Sequence, residues 1–194
     1  GHRYCELLLC EAERAAWCES ATLAEPSELL SACAEVFERA TRTRKVAVRN
    51  RWTLDTALDY LTCGRAALYA TRIHARAPTL ASTLTVEQAR EQLEAAVDKL
   101  REAGDQDELP KGLLTRAWLH HLGDRDDLAQ RDLDEAWTLA IRGPMPLYQA
   151  DIQLHRARLF HDRDALAQAA TLIHQLGYHR RLGELQDAQA QLSR

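Results

Sequence analysis

The sequence predicts an all-α protein built from antiparallel helix pairs. Its composition favours this class, because Ala, Leu, Arg, Glu and Gln dominate while the strand formers Val, Ile and Phe are scarce. The 8 glycines and 5 prolines fall mostly between long segments whose apolar residues recur at helical spacing. With 46% apolar and 28% charged residues, the chain is expected to fold around a sizeable core.

Four helices are predicted in the first half of the chain. The periodic segments are 3–19, about 26–50, about 52–77 and about 86–103. Pro26 lies in the first turn of the second segment, where a missing N–H is tolerated. Thr85 is the expected N-cap of the fourth, with Gln88 as its capping-box partner, and Gly104 is the expected C-terminal cap.

Five more helices are predicted after the acidic loop at 105–108. Their expected limits are Pro110–Gly123, Asp124 or Asp126 to Gly143, Pro146 to about His161, Asp164–Gly177, and 179–193. Aspartates recur at the turns between these helices, in "DRDDLAQ" (124–130) and "DRDALAQ" (162–168). We expect them to cap helix N-termini, because a carboxylate there accepts from unpaired N–H groups.

An internal repeat groups the helices into pairs. The dipeptide Arg-Ala recurs in the odd-numbered helices at 14–15, 65–66, 116–117 and 156–157. The even-numbered helices carry a small–large–small pattern, at Cys33–Phe37–Ala40, Ala89–Leu93–Ala96 and Ala129–Leu133–Ala136. Small residues at fixed positions let two helices approach closely, and stacking of the pairs then buries the apolar faces.

The repeat predicts one domain, residues 3–194, of about four helix pairs. The units are roughly 3–50, 52–104, 108–143 and 145–177, followed by a capping helix at 179–193. Gly1 and His2 are interpreted as an expression remnant, and the chain as a piece of a larger protein.

This pattern resembles the tetratricopeptide repeat. Ala117 and Ala129 lie twelve residues apart, as do Ala157 and Ala169, which is the spacing of the small residues at that family's closest helix contact. The first two units exceed the family's usual length, and no unit carries the full consensus with Trp and Gly. The resemblance implies a right-handed superhelix whose concave face binds a protein or peptide.

A narrower resemblance concerns bacterial STAND proteins of the NACHT type. "ALDYLTCGRAALY" (57–69), "LPKGLLTRAWLHHLGD" (109–124) and "DLDEAWTLAIRGPMPLYQADIQLHRARLF" (132–160) are similar to the tetratricopeptide region that follows the NTPase module in that family. This likeness implies a non-enzymatic, cytoplasmic sensor or regulatory domain that needs no cofactor. Its partner would be a protein, a peptide or another domain of the same chain.

Two further functions remain open from the sequence. One is a helical sensor arm of a bacterial transcriptional activator, which would hold a small molecule or a partner protein between its repeats. The other is enzymatic, through the histidines and aspartates near 120–127. No phosphate-binding loop occurs in the chain, so an NTPase would lie upstream of it. The sequence indicates neither the partner nor the oligomeric state.

The predicted binding residues lie on the first helices of units three and four. By register, the concave-face set is Lys111, Thr115, Trp118, His121, His155 and Arg158. Trp118 and Arg158 are the preferred contacts, because Trp and Arg are enriched in binding hot spots. Both residues could equally pack between repeats, with the arginine reaching toward solvent.

A basic run precedes the third helix. Its members are Arg42, Arg44, Lys45, Arg49 and Arg51. The favoured interpretation is a solvated helix end whose cations complement the helix dipole, and the alternative is a patch for an acidic partner. A net charge of −4 disfavours general nucleic-acid binding, and no apolar run is long enough to predict a membrane span.

Neither a metal site nor a catalytic site is predicted. His120 and His121 are adjacent, and neighbouring side chains diverge by about 100° around a helix, so their rings do not converge on one ion. We expect His120 to be packed and His121 exposed. The five cysteines contain no C-x-x-C and lie in apolar helical patterns, which predicts small buried thiols.

Overall fold

The chain is all-α, as predicted. The computed structural model describes residues 1–18 and 24–193, which contain nine α-helices and no strand. The helices are α1 His2–Trp17, α2 Pro26–Arg49, α3 Thr53–Arg76, α4 Val86–Ala103, α5 Leu109–Leu122, α6 Asp126–Arg142, α7 Pro146–Phe160, α8 Arg163–Gln175 and α9 Leu182–Leu192. A short 3-10 turn, His179–Arg181, precedes α9. Neighbouring helices pack in pairs, and the predicted helix-pair architecture is thereby confirmed.

The chain divides into two compact units, Gly1–Asp105 and Gln106–Arg194, each holding two of the predicted pairs. In the first unit α1 packs on α2, α3 packs on α4, and α3 also contacts both helices of the preceding pair. The helices α3 and α4 approach closely at Gly64, where a Cβ atom would lie 2.6 Å from the Cγ and Cδ2 atoms of Leu93. The small–large–small residues of α4 (Ala89, Leu93 and Ala96) are fully buried at this contact.

The second unit repeats this arrangement. Here α5 packs on α6, α7 packs on α8, and α7 also contacts both helices of the preceding pair. The matching small residues Ala117, Ala129 and Ala136 are fully buried. The predicted capping helix α9 packs on α7 and α8, where Leu185 and Ala188 join the apolar cluster around Leu154 and Ile173.

Several predicted helix ends are confirmed. Thr85 and Gln88 form the capping box of α4, and Gly104 ends that helix in the left-handed conformation with φ 69°. Pro26 occupies the first turn of α2. The first helix was predicted to reach residue 19, but α1 ends at Trp17; residue 19 itself lies outside the described residues.

The predicted aspartate caps are correct at one turn and wrong at the other. Asp162 caps α8, since its Oδ1 atom accepts from the Ala165 N–H at 2.9 Å, whereas Asp164 lies inside the first turn. Neither Asp124 nor Asp126 caps α6, which begins after Arg125 without a side-chain cap. Asp124 instead takes a positive φ of 55°, and its N–H donates to the His121 carbonyl at the end of α5.

Candidate functional site

A cleft of about 540 Å³ opens in the first unit between the start of α1, the C-terminal half of α2 and the N-terminal half of α3. This volume falls within the range of about 300–1,000 Å³ that is typical of small-ligand pockets. The residues that line it are Gly1, His2, Cys5, Arg39, Arg42, Thr43, Val46, Ala47, Trp52, Asp55 and Asp59. The lining residues of α2 and α3 are three or four positions apart, because residues at that spacing lie on one face of a helix.

Asp59 is the most deeply buried charged group of the cleft. Its side chain is 4% exposed, and the Thr43 hydroxyl donates to its Oδ1 atom at 2.7 Å. Burial raises the pKa of Asp59, although the hydrogen bond from Thr43 and the neighbouring His2 act in the opposite direction. These partners offset part of the free-energy cost of a buried charge at Asp59, because burial disfavours the ionised form of a carboxyl group.

His2 and Asp55 complete the polar part of the cleft. The His2 Nε2 atom lies 3.6 Å from Asp55 Oδ1, and its Nδ1 atom lies 3.6 Å from Asp59 Oδ1. Asp55 and Asp59 are four residues apart on α3 and so face the same side of the helix. The imidazole therefore lies between two carboxylates, at distances longer than those of good hydrogen bonds.

The members of the predicted basic run differ in their contacts, and their role as a patch for an acidic partner stays a prediction. Arg44 turns away from the other cations of α2: its guanidinium carbon lies 4.1 Å from the centre of the Tyr60 ring, and its Nη1 atom donates to Gln92. Arg42 lines the cleft and lies 3.5 Å from Glu38. Lys45, Arg49 and Arg51 are exposed near the end of α2, in keeping with a solvated helix terminus.

Four of the six residues predicted for the concave face are buried. These are Thr115, Trp118, His155 and Arg158, each less than a tenth exposed. Lys111 and His121 are half-buried; Lys111 Nζ donates to Glu108 at 2.9 Å, and His121 Nδ1 lies 2.7 Å from Asp126 Oδ1. The structure thus gives these residues local contacts, and their role in binding a partner stays a prediction.

Arg158 belongs to a buried ion network that sequence reasoning missed. Arg158 donates to Glu184 Oε2 and to the Glu184 backbone oxygen, both at 3.0 Å. Arg181 donates to Asp151 Oδ1 at 2.8 Å and also to Glu184. The network contains two cations and two carboxylates and so balances its own charge. It joins α7 to the start of α9, which is a structural role.

His155 lies beside this network. Its Nδ1 atom lies 2.9 Å from the backbone oxygen of Asp151, which fits a neutral ring that donates to that carbonyl. Burial lowers the pKa of His155 to about 4, and the charges of Arg158 and Arg181 lower it further. The imidazole is therefore uncharged at neutral pH.

Three of the repeated arginines form ion pairs between helices. Arg65 donates to Glu13 at 2.9 Å, and Arg116 binds Asp132 through two hydrogen bonds of 2.8 and 2.6 Å. Arg156 donates to Asp134 at 2.8 Å. In three copies of the Arg-Ala repeat, the alanine thus lies at a helix contact and the arginine pairs with an acidic side chain of another helix. The sequence shows the dipeptide but not which acidic side chains pair with it.

His120 and His121 each lie near a different carboxylate. His120 is buried, as predicted, with its Nε2 atom 3.6 Å from Asp132 Oδ2. His121 is half-buried rather than exposed, and its ring packs edge-on against Phe160 at 5.7 Å. Within residues 1–18 and 24–193, no three histidine, cysteine, aspartate or glutamate side chains come together in a way that could hold a metal ion.

The cysteines differ in exposure. Cys5, Cys33 and Cys63 are buried as predicted, and burial raises the pKa of each thiol, that of Cys33 to about 12. Cys10 is exposed and Cys18 is half-buried, so the prediction was wrong for Cys10. Cys10 lies on the outer face of α1, two residues before the buried Ala12.

No helix in the described part of the chain combines the length and the apolar character needed to cross a membrane. Comparison with models of known protein families, with curated proteins and with solved structures finds no match.

Proposed function

We propose that the chain is a non-enzymatic helical-repeat module that binds a peptide or protein segment and regulates a STAND-type NTPase to which it is fused. The observation that supports binding is the arrangement repeated in both units, in which the first helix of one pair packs on the first helix of the next. Such stacking gives helical repeats an extended surface made of equivalent helix faces, and these proteins use that surface for recognition.

Peptide binding is tested with a library of random short peptides displayed on phage. The purified chain is used as bait, and an unrelated helical protein serves as the control bait. We expect enriched peptides that share a sequence pattern and bind in calorimetric titrations with a Kd on the order of micromolar. The absence of a pattern specific to this bait would overturn the binding role.

The regulatory role is tested on the full reading frame. We expect a phosphate-binding loop of the form G-x-x-x-x-G-K-[ST] to be encoded upstream of residue 3. Deletion of residues 3–194 from that full chain should change its rate of ATP hydrolysis, because a restraining or sensing domain has been removed. A reading frame without a nucleotide-binding motif contradicts this part of the proposal and leaves the binding role standing.

The cleft in the first unit favours a second candidate function, that of a small-molecule sensor. Its volume of about 540 Å³ and its buried carboxylate are features of ligand pockets. A thermal-shift screen of amines, amino acids and nucleotides distinguishes this function. A ligand that stabilises the wild-type chain but not the Asp59→Asn variant would support the sensor, and a screen without such a ligand would count against it.

A further inference from the structure

We propose that the connection between α3 and α4 binds an extended, basic peptide segment as an added β-strand, with one aliphatic side chain of that segment in an adjoining pocket. The inference rests on the proposed function, because it takes a peptide segment as the ligand. It adds a site outside the stacked helix faces and a chemistry for the ligand. None of the residues predicted to bind a partner lies in this connection.

The connection is long for one between the two helices of a pair. It covers residues 77–85, whereas residues 123–125 join α5 to α6 and residues 161–162 join α7 to α8. Helix–helix connections of about 2–8 residues are usual. Its sequence, "APTLASTLT", contains no charged residue and three threonines. Because threonine is enriched in strands, this composition favours an extended backbone.

The second half of the connection has the character of an edge strand. From Ala81 to Thr85 the chain forms neither helix nor turn, and Thr85 is extended, with φ −118° and ψ 163°. Ala81, Thr83 and Thr85 are exposed, whereas the residues between them are buried or half-buried. This two-residue period is that of a strand with one face on the protein. Residues two apart, such as Ala81 and Thr83, then present their N–H and C=O groups to the same side.

This side carries unpaired main-chain groups. In the described part of the chain, the N–H and C=O groups of Ala81 and Thr83 have no hydrogen-bond partner. The Leu84 N–H, in contrast, donates to Ser82 Oγ at 3.4 Å. An extended segment with unpaired donors and acceptors can take up another strand, whose main chain supplies the missing partners.

A pocket of about 260 Å³ lies between the connection and the first half of α2. Its apolar lining comes from both sides, and the full set is Ser27, Leu30, Ser31, Ala34, Leu80, Ala81, Ser82, Thr83 and Leu84. The volume is below the range of about 300–1,000 Å³ that is typical of small-ligand sites, so the pocket suits one side chain of a longer ligand. Alternate side chains of an added strand lie on the same face as Leu84 and can therefore enter it.

The surroundings of the pocket are acidic. Residues 24–38 and 77–89 contain five glutamates and no lysine, arginine or histidine. Glu28 and Glu35 are exposed, and each lies one turn from the pocket residue Ser31 on α2. A ligand with lysine or arginine beside its aliphatic side chain complements this charge, mainly through faster, salt-dependent association.

The arginines that flank these residues do not reverse the charge. Arg76 donates to two backbone oxygens at the end of α1. Arg90 is exposed on α4, with Glu87 and Glu94 one turn away on either side. The acidic character of the pocket's surroundings is therefore retained.

The probe is a library of capped heptapeptides with lysine at both ends, valine, isoleucine, leucine or methionine at the centre, and all other positions randomised. Affinity selection with the 194-residue chain isolates binders, and NMR follows amide hydrogen exchange in their complexes. We expect the amides of Ala81 and Thr83 to exchange at least about tenfold more slowly in the complex, because their N–H groups become hydrogen-bonded. A library with glutamate in place of lysine should yield weaker binders.

Thr83→Pro tests the main-chain pairing. Proline removes the N–H and favours extended backbone at the preceding residue, so the connection keeps its form. Binding should weaken about fivefold or more, the loss expected for one hydrogen bond. Thr83→Ala is the matched control, since it keeps the N–H and should bind as the wild type does.

Ser31→Leu tests the pocket independently. Ser31 is exposed and lines the pocket, so a leucine there occupies the space of the ligand's aliphatic side chain. Binding should weaken about tenfold or more, because that side chain is no longer buried. Thr79→Leu, at an exposed position outside the pocket lining, is the control and should leave binding unchanged. Glu28→Gln combined with Glu35→Gln should weaken binding several-fold at low salt and have little effect at high salt.

The outcomes separate the site from the general binding role. Binders that keep their affinity in both Thr83→Pro and Ser31→Leu overturn the site and leave the binding role standing, as does a lysine library without binders when random peptides on phage do bind. If both libraries fail, the proposed function fails and this inference with it. Protection of the Ala81 and Thr83 amides that grows with the concentration of the chain alone would assign the edge to a second copy of the chain and overturn the peptide.

Discussion

Arg158 on α7 donates two hydrogen bonds to Glu184 on α9, one to its carboxylate and one to its backbone oxygen, each at 3.0 Å. Both residues are less than a tenth exposed. Arg158 was predicted to contact a partner, but in the structure it joins α9, the last helix of the second unit, to α7.

Arg158→Met should lower the free energy of unfolding by about 3 kcal/mol, because it deprives the buried Glu184 of one of the two arginines that donate to it in the described part of the chain. Urea denaturation followed by circular dichroism measures this loss. Arg131→Met is the control, since Arg131 is 76% exposed and lies 3.9 Å from Asp127; it should cost less than about 0.5 kcal/mol. Similar losses in the two variants would contradict the structural role of the network.

His155 should make the second unit sensitive to mild acid. Its pKa is about 4 in the folded chain and about 6.5 when unfolded, so the unfolded state binds the proton more readily between these values. The stability that neutral His155 provides is complete above pH 6.5 and is lost as pH falls toward 4, by at most about 3 kcal/mol. His155→Gln should flatten the dependence of unfolding free energy on pH, whereas His174→Gln, at an exposed position, should retain it.

Gly64→Ala should destabilise the first unit by about 1–3 kcal/mol, despite the better helix propensity of alanine. The added methyl group would lie 2.6 Å from Leu93 Cγ, and the backbone nitrogen of Leu93 at 3.2 Å limits the room for adjustment. Leu93→Ala removes the obstructing side chain. In that background Gly64→Ala should cost at least about 1 kcal/mol less, and a double-mutant cycle without coupling would contradict the close approach.

Arg116→Ala and Arg156→Ala compare the same repeat position in two settings. Arg116 binds Asp132, which is 5% exposed, while Arg156 binds Asp134, whose side chain is 59% exposed. Removal of Arg116 leaves a buried carboxylate without its main partner and should cost about 2–4 kcal/mol. Removal of Arg156 should cost less than removal of Arg116, because water solvates Asp134, and the loss that remains comes mainly from the contact of Arg156 with the Trp137 ring at 5.4 Å. Equilibrium denaturation measures both, and the reverse order would contradict this account.

The helices and their pairing followed from local signals. Proline and glycine mark the breaks, the capping box of Thr85 needs only a four-residue pattern, and the buried alanines recur at fixed spacing. Aspartate caps were harder to predict, because Asp124 and Asp162 occupy similar sequence patterns but differ in backbone conformation. Asp124 has a positive φ and ends the preceding helix, whereas Asp162 is extended and caps the next one.

The candidate site could not be predicted in the same way. Helical register gave Arg158 an outward position, but burial depends on α9 folding back over α7, which no local pattern specifies. The cleft is formed by three helices and depends on how they cross. In the sequence, the cleft is marked by Asp55 and Asp59, which are four residues apart on α3, and by Arg42 of the basic run. Acidic residues four positions apart are common on solvated helix faces. This pair differs from those because Asp59 is buried, which the sequence does not show.

Because Cys10 is exposed, it can be labelled selectively. Cys5, Cys33 and Cys63 are buried thiols with raised pKa values, so they are poor nucleophiles at neutral pH. A maleimide dye should therefore modify Cys10 first, on the same helix as the two residues of α1 that line the cleft. With Cys18 replaced by serine, Cys10 is the one cysteine of the chain that is not buried, so the dye occupies a single defined position on α1.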